Sequence, residues 1–157
     1  MKVMKKLIDG VILKKLNIIP DERGKLVEIL RADDPFFEKF GQAYLTSAYP
    51  GVVKAWHFHQ FQVDHFCVIR GMMKVVLFDN RKDSPTKDMV NEFFLGEQNP
   101  QLIRIPKGVF HGFKCIGECE ALVINLPSEK YEHDNPDEYR VDPHDNDIPY
   151  DWSRKDG

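Results

Sequence analysis

The chain reads as one all-β domain, a sandwich or barrel of short strands, on three observations. From residue 11 onward, brief apolar runs are cut every few positions by Gly, Pro, Asn or Asp, the punctuation of turns between strands. Within several runs apolar and polar side chains alternate with a period of two, as on a half-buried sheet. At 157 residues the chain suffices for one ordinary core and falls short of two.

The elements follow in order. Residues 1–10 form an N-terminal extension. Pro20, Asp21, Glu22, Arg23 and Gly24 make a turn, and 25–30 alternates as a strand. Residues 33–40 carry the one convincing helical spacing, with Phe36, Phe37 and Phe40 on one face behind an acidic start, which predicts a short peripheral helix. Strands follow at 42–47 and 52–58, split by the turn at Tyr49, Pro50 and Gly51. The runs 65–70 and 72–78 flank Gly71 and predict a tight hairpin. After a polar loop over 79–87, further strands are expected at 93–95, 101–105, 112–116 and 121–126. Eight or more strands with almost no helix fit a sandwich or barrel.

Composition narrows function by exclusion. A net charge of -3 disfavours a general nucleic-acid binder, which needs a basic face. No apolar run approaches the ~20 residues of a membrane span, and the start from Met1 to Lys6 makes a poor signal peptide. Three cysteines, Cys67, Cys115 and Cys119, are odd in number and sparse, which suits a reducing cytoplasm. The charge is unevenly spread: residues 1–127 hold 18 basic and 15 acidic side chains, residues 128–157 hold 4 and 10. That acidic extension, broken by Pro136, Pro143 and Pro149, cannot be a helix or central strand. It is expected to drape over the barrel as a solvated segment. The alternative is that Tyr131, Tyr139, Tyr150 and Trp152 close over a site.

Chemistry concentrates between Gly51 and Gly71. Residues two apart on a strand share a face, so His57 and His59 project together. With Asp64 after a turn and His111 from a later strand, they make a nitrogen and oxygen set suited to Zn, Fe, Mn, Ni or Co. The order Gly51, His57, His59, Asp64, Gly71 resembles the first signature of the cupin superfamily, with Asp64 where Glu is usual. Pro106, Gly108 and His111 resemble the second, with Cys115 in place of its distal Asn. The resemblance implies one cupin domain over 1–157, a double-stranded β-helix or jelly roll with short peripheral helices.

The flanks carry a nearer likeness. Asp21 to Gly24 followed by Glu28, then Gln42, the run Gly51 to Phe58, the run Asp79 to Thr86 and the run Ile105 to Phe113 are similar to the dTDP-4-dehydrorhamnose 3,5-epimerase family, over about residues 20–152. That family inverts centres beside a 4-keto group of a nucleotide-linked deoxysugar, which takes a base, a donor for the enolate oxygen and an acid on the opposite face. The resemblance makes His57 the base and places His111 in the same pocket. It implies that Arg23, Glu28, Gln42, Lys54, Asn125 and Tyr131 bind substrate, that Arg23 and Glu28 often serve a neighbouring subunit of a homodimer, and that no cofactor is needed.

The departures point elsewhere. Lys54 and Ala55 stand where the family has Arg-Gly, Asp64 aligns with its enolate-stabilising lysine, and Asn125 lies near the position of its acid tyrosine. Losing the lysine while gaining Asp64 and His59 allows a divalent ion (Zn, Fe, Mn or Ni) on His57, His59, Asp64 and His111 to polarise a carbonyl. Two other readings therefore stay open: a metal-dependent cupin enzyme and a non-catalytic sugar-nucleotide binder. His65 points to the opposite face and reads as structural, Cys115 and Cys119 as free thiols, and Ser84 to Thr86 as turn chemistry.

Overall fold

Strand alternation builds two facing antiparallel sheets in the computed structural model, which describes residues 6–157. The expectations resting on residues 1–5, the start of the extension and the poor signal peptide, lie outside the described residues. Twelve strands run in chain order: β1 (Ile12–Lys15), β2 (Ile18–Asp21), β3 (Gly24–Val27), β4 (Tyr44–Ala48), β5 (Val53–Phe58), β6 (Asp64–Arg70), β7 (Met72–Phe78), β8 (Val90–Gly96), β9 (Gln101–Ile105), β10 (Phe110–Cys115), β11 (Ala121–Asn125) and β12 (Tyr139–Arg140). One sheet has the order β1-β9-β6-β11-β4, the other β12-β5-β10-β7-β8, and β2 with β3 forms a separate exposed hairpin. The arrangement is the cupin jelly roll.

The inner faces close on one core that includes Phe66 and Val68 from one sheet and Met73, Val75, Leu77 and Phe113 from the other. Each such side chain contributes ~1.5–3 kcal/mol by leaving water. Both outer faces are covered as well. The segment around Ile29, Leu30 and Phe36 lies over Cys67 and Leu102, and the C-terminal segment brings Trp152 onto Trp56 and Val76. Double cover explains why 72–78 reads as a nearly continuous apolar run: Val75 faces the core and Val76 faces the tail.

Two expectations fail on tertiary grounds. Strands β6 and β7 form no hairpin, because they belong to different sheets. Gly71, at φ +70°, turns the chain from one sheet to the other, and a Cβ there would sit 3.1 Å from that of Ala121. The peripheral helix over 33–40 is a pair of turns, with Asp34 N–H bonded to the Arg31 carbonyl and Phe37 N–H to that of Asp34. Pro35 removes a donor, while the Asp34 carboxylate is held by Lys14 at 2.6 Å and by the Arg31 N–H at 2.9 Å. Among the described residues there is no helix, hence none long and apolar enough to cross a membrane.

The tail behaves as a draped cover. Its one strand, β12, adds to the edge of β5. Tyr139 stacks on Phe58 with centroids 4.9 Å apart, and Trp152, 2% exposed, packs 5.0 Å from Trp56 on the outside of the sheet. Tyr150 and Trp152 therefore cover a wall and do not close over the barrel interior.

Candidate active site

Register brings the histidines together. Strands β5 and β10 pair with His57 opposite His111, and their ring centroids lie 4.1 Å apart. Gly112 permits this closeness: a Cβ on it would fall 2.2 Å from the Cβ of Ala55. His59 follows the end of β5, its ring 5.3 Å from His57 and at a steep angle to it. Asp64 opens β6 on the opposite sheet and faces inward, 1% exposed. One donor atom from each of His57, His59, Asp64 and His111 lies within 4.8 Å of the others. Sequence spacing foresaw this cluster.

The carboxylate of Asp64 is held from one side only. Its Oδ1 accepts from Gln62 Nε2 at 2.7 Å and from Asn125 Nδ2 at 2.8 Å. Its Oδ2 lies 3.1 Å from His111 Nε2 and 3.3 Å from His59 Nε2. Neither nitrogen meets the carboxylate with hydrogen-bond geometry, so these are close approaches of ion-pair range and not formed bonds.

Tautomers follow from the partners on the far side of each ring. His111 Nδ1 lies 3.0 Å from the Val109 carbonyl, and His59 Nδ1 contacts the Asp137 carbonyl. A carbonyl only accepts, so both δ nitrogens carry the proton and donate. In the neutral rings both ε nitrogens therefore present lone pairs beside an anionic oxygen. Such a site calls for a proton or a cation between them, and a ring N–H fixed by a carbonyl is a common way to orient a metal-binding imidazole.

The electrostatics agree. Burial alone would raise the Asp64 carboxyl, but the histidines at Oδ2 hold it well below the usual carboxylate range. Burial tends to lower His59, and Asp64 outweighs it and lifts the group above its ordinary value. His57 moves the other way. Burial, then the neighbouring His111, push it well below the ordinary histidine value. His57 is also the one of the three that is partly exposed, and no described residue hydrogen-bonds to its ring. It is a neutral imidazole with a free nitrogen, beside His59 and His111.

The remaining expected residues divide. Lys54 Nζ crosses between sheets to Thr46 Oγ1 at 3.3 Å. Asn125 is buried at the centre, its Oδ1 accepting from the His65 N–H at 3.0 Å. Gln42 Oε1 accepts from the Tyr131 N–H at 3.1 Å, and Tyr131 with His59, Gln62 and Asp137 lines a cleft of about 370 Å³. Arg23 and Glu28 stay apart on the exposed hairpin and just after it, holding Asp21 and Arg31. His65 is buried with Nδ1 on the Leu126 carbonyl, a structural role. The three cysteines are free thiols.

Two residues escaped sequence reasoning. Tyr44 on β4 shares the inner face with Thr46 and Ala48, and period-two counting from Gln42 would have found it. Asp137 caps the turn after β5, accepting from the N–H groups of Gln60 and Phe61 at 2.8 Å and Gln62 at 3.2 Å. Its distance along the chain left no local signal.

Known proteins give this geometry a context. Residues 19–139 match the family described as the polysaccharide biosynthesis C-terminal domain. The chain is 42% identical to the spore coat polysaccharide biosynthesis protein SpsL of Bacillus subtilis over 94% of its own length and 97% of the relative. It is 43% identical to a probable low-salt glycan biosynthesis epimerase of Haloferax volcanii, over 92% of this chain and 89% of that one. Among solved structures, a dTDP sugar isomerase from Desulfovibrio desulfuricans superposes with a TM-score of 0.89 at 35% identity, covering 95% of this chain and 94% of the other.

Proposed function

Because the chain belongs to the polysaccharide biosynthesis C-terminal domain family, among the sugar-nucleotide epimerases related to dTDP-4-dehydrorhamnose 3,5-epimerase in the cupin superfamily, we propose that it epimerises a nucleoside-diphosphate-linked 4-keto-6-deoxyhexose. The observation that carries the reading is His57, a neutral, partly exposed imidazole beside His59 and His111. A C–H beside a carbonyl is acidic enough for such a base, whose low pKa keeps it unprotonated at neutral pH. The electron pair left behind delocalises onto the keto oxygen as an enolate. Lys54 at the mouth and His111 beside His57 are the groups that polarise that oxygen or bind phosphate. Gln42, Asn125 and Tyr131 contribute to substrate binding.

The test is solvent exchange. The protein incubated in D₂O with dTDP- and UDP-linked 4-keto-6-deoxyglucose is expected to introduce deuterium at C3 or C5, read by NMR. No exchange with any of these sugars, beside nucleotide-dependent thermal stabilisation, would reassign the chain as a sugar-nucleotide binder.

A second reading is favoured by the convergent lone pairs of His59 and His111. The donor set fits a divalent ion on His57, His59, Asp64 and His111. When bound, such an ion would supply Lewis-acid polarisation of the keto oxygen in place of a lysine. Elemental analysis of protein prepared without an affinity tag decides this: about one equivalent of metal supports it, and none, with no uptake on dialysis, removes it.

A homodimer completes the proposal. Ile18, Ile19 and Leu26 are exposed on the β2–β3 hairpin, an apolar edge that a second copy would cover, bringing Arg23 and Glu28 toward the neighbour's cleft. Light scattering after gel filtration should give twice the chain mass. The free thiols fit a cytoplasmic setting.

A further inference from the structure

Inversion at carbon needs a proton donor on the wall facing the base, and His57 leaves that role open. The base sits on β5, in the sheet β12-β5-β10-β7-β8. The wall facing it is the inner side of β4, β6 and β11, whose polar side chains at the site are Tyr44, Thr46, Asp64 and Asn125. Asp64 is turned away from that role, its Oδ1 filled by Gln62 and Asn125 and its Oδ2 facing the ε nitrogens of His59 and His111. Asn125 has both amide hydrogens engaged, one on Asp64 Oδ1 and one on the Tyr44 oxygen, each at 2.8 Å. Thr46 bears an alkyl hydroxyl, a far weaker acid than a phenol, and it receives Lys54.

Tyr44 remains, and its proton is aimed by elimination. The Asn125 amide cannot be reversed, because its Oδ1 accepts the His65 N–H at 3.0 Å. The Tyr44 oxygen is therefore an acceptor toward Asn125, and among the described residues nothing accepts its own O–H. The residue is 38% exposed, so a ligand can reach it from solvent. We propose that Tyr44 is the catalytic acid that delivers a proton to the sugar carbon on the face opposite His57.

The assignment rests on the epimerase reading above. The steps balance without an external oxidant or reductant. A nitrogen of His57 takes the proton as the C–H bond breaks, and the pair moves into the enolate. The enolate carbon then forms a new C–H bond with the Tyr44 proton, leaving a phenolate beside the Asn125 amide. Solvent returns a proton to the phenolate and takes one from the imidazolium, so the net change is isomerisation. Burial, then the negative charge of Asp64, push the phenol up to about 12, which keeps it protonated at working pH.

Tyr44→Phe separates the two half-reactions. With the 4-keto sugar in D₂O, the variant is expected to keep deuterium exchange at the abstracted position within ~10-fold of wild type while the inverted product falls at least ~100-fold. Product within ~3-fold of wild type, or exchange and inversion falling together, overturns the assignment. Should the variant fold poorly, 3-fluorotyrosine at position 44 changes acidity with almost no change of shape. The alkaline limb of the rate profile should then move to lower pH, and an unmoved limb overturns the proposal. A wild-type protein without exchange or turnover overturns the epimerase reading and this assignment with it. An active wild type beside an equally active Tyr44→Phe overturns this assignment alone.

Discussion

Asp64 and Asp79 are equally buried, at 1% and 0% exposure, yet they do opposite things. Asp79 follows β7 and is saturated: Arg81 reaches it through Nε at 2.8 Å and Nη2 at 2.9 Å, Ser84 Oγ at 2.5 Å and Thr86 Oγ1 at 2.6 Å. Those donors fold the loop back on the body, where Thr86 also accepts from the Asp9 N–H at 2.9 Å. Asp64 has one oxygen satisfied and one facing two lone pairs. Burial therefore does not separate a saturated carboxylate from a half-satisfied one. What separates them is whether the last oxygen has been given a donor.

The largest effect that sharpens this contrast is Asp64→Asn. The amide keeps the shape and the acceptor toward Gln62 and Asn125 but loses the charge, so kcat/KM is expected to fall ~10³-fold. Its melting temperature should stay within ~2 °C of wild type. A large loss of melting temperature with activity retained would make Asp64 a second Asp79.

Asp79→Ala should do the reverse. Removing the acceptor leaves Arg81, Ser84 and Thr86 without their partner, and urea unfolding should show a loss of ~3 kcal/mol with kcat of the folded protein unchanged.

Acid gives a smaller, graded effect. Burial would raise the Asp79 carboxyl, but the hydrogen bonds from Arg81, then Ser84 and Thr86, hold it far below the usual range. A depressed folded value means the stabilisation is full above the unfolded pKa of about 4 and is lost as pH falls below it. The stability gap between wild type and Asp79→Asn should be constant from about pH 7 to 5 and narrow below about pH 4. A gap that stays flat to low pH would show that the clamp does not depend on charge. The smallest expected effect is Ser84→Ala, ~1 kcal/mol in the same unfolding assay, because the other donors remain.

The sequence foretold strands well because burial on a sheet leaves a local signature: alternation, with Gly or Pro between. The grouping of His57, His59 and Asp64 was legible for the same reason, since two residues at the end of one strand and a third beyond one turn need only local counting. Pairing was not legible. Nothing at Gly71 says whether the next strand returns along its neighbour or crosses to the other sheet, and nothing near His57 names His111 as its partner in register. The helix over 33–40 failed because apolar spacing cannot distinguish a helix face from turns whose Phe36 covers a strand. Tyr44 was not legible because alignment points to Asn125 for the family tyrosine's place, while the phenol reaches Asn125 from the adjoining strand.

Asp137 makes a last point about how position along the chain becomes chemistry. Its carboxylate fastens residues 60–62 while its carbonyl holds the δ proton of His59, across a separation of 78 residues. Whether the ε nitrogen of His59 is a base or an acid is thus written into the route of the tail. Trimming the chain before Asn135 would leave the barrel its strands β1 to β11 and erase that instruction, freeing one proton to choose its nitrogen.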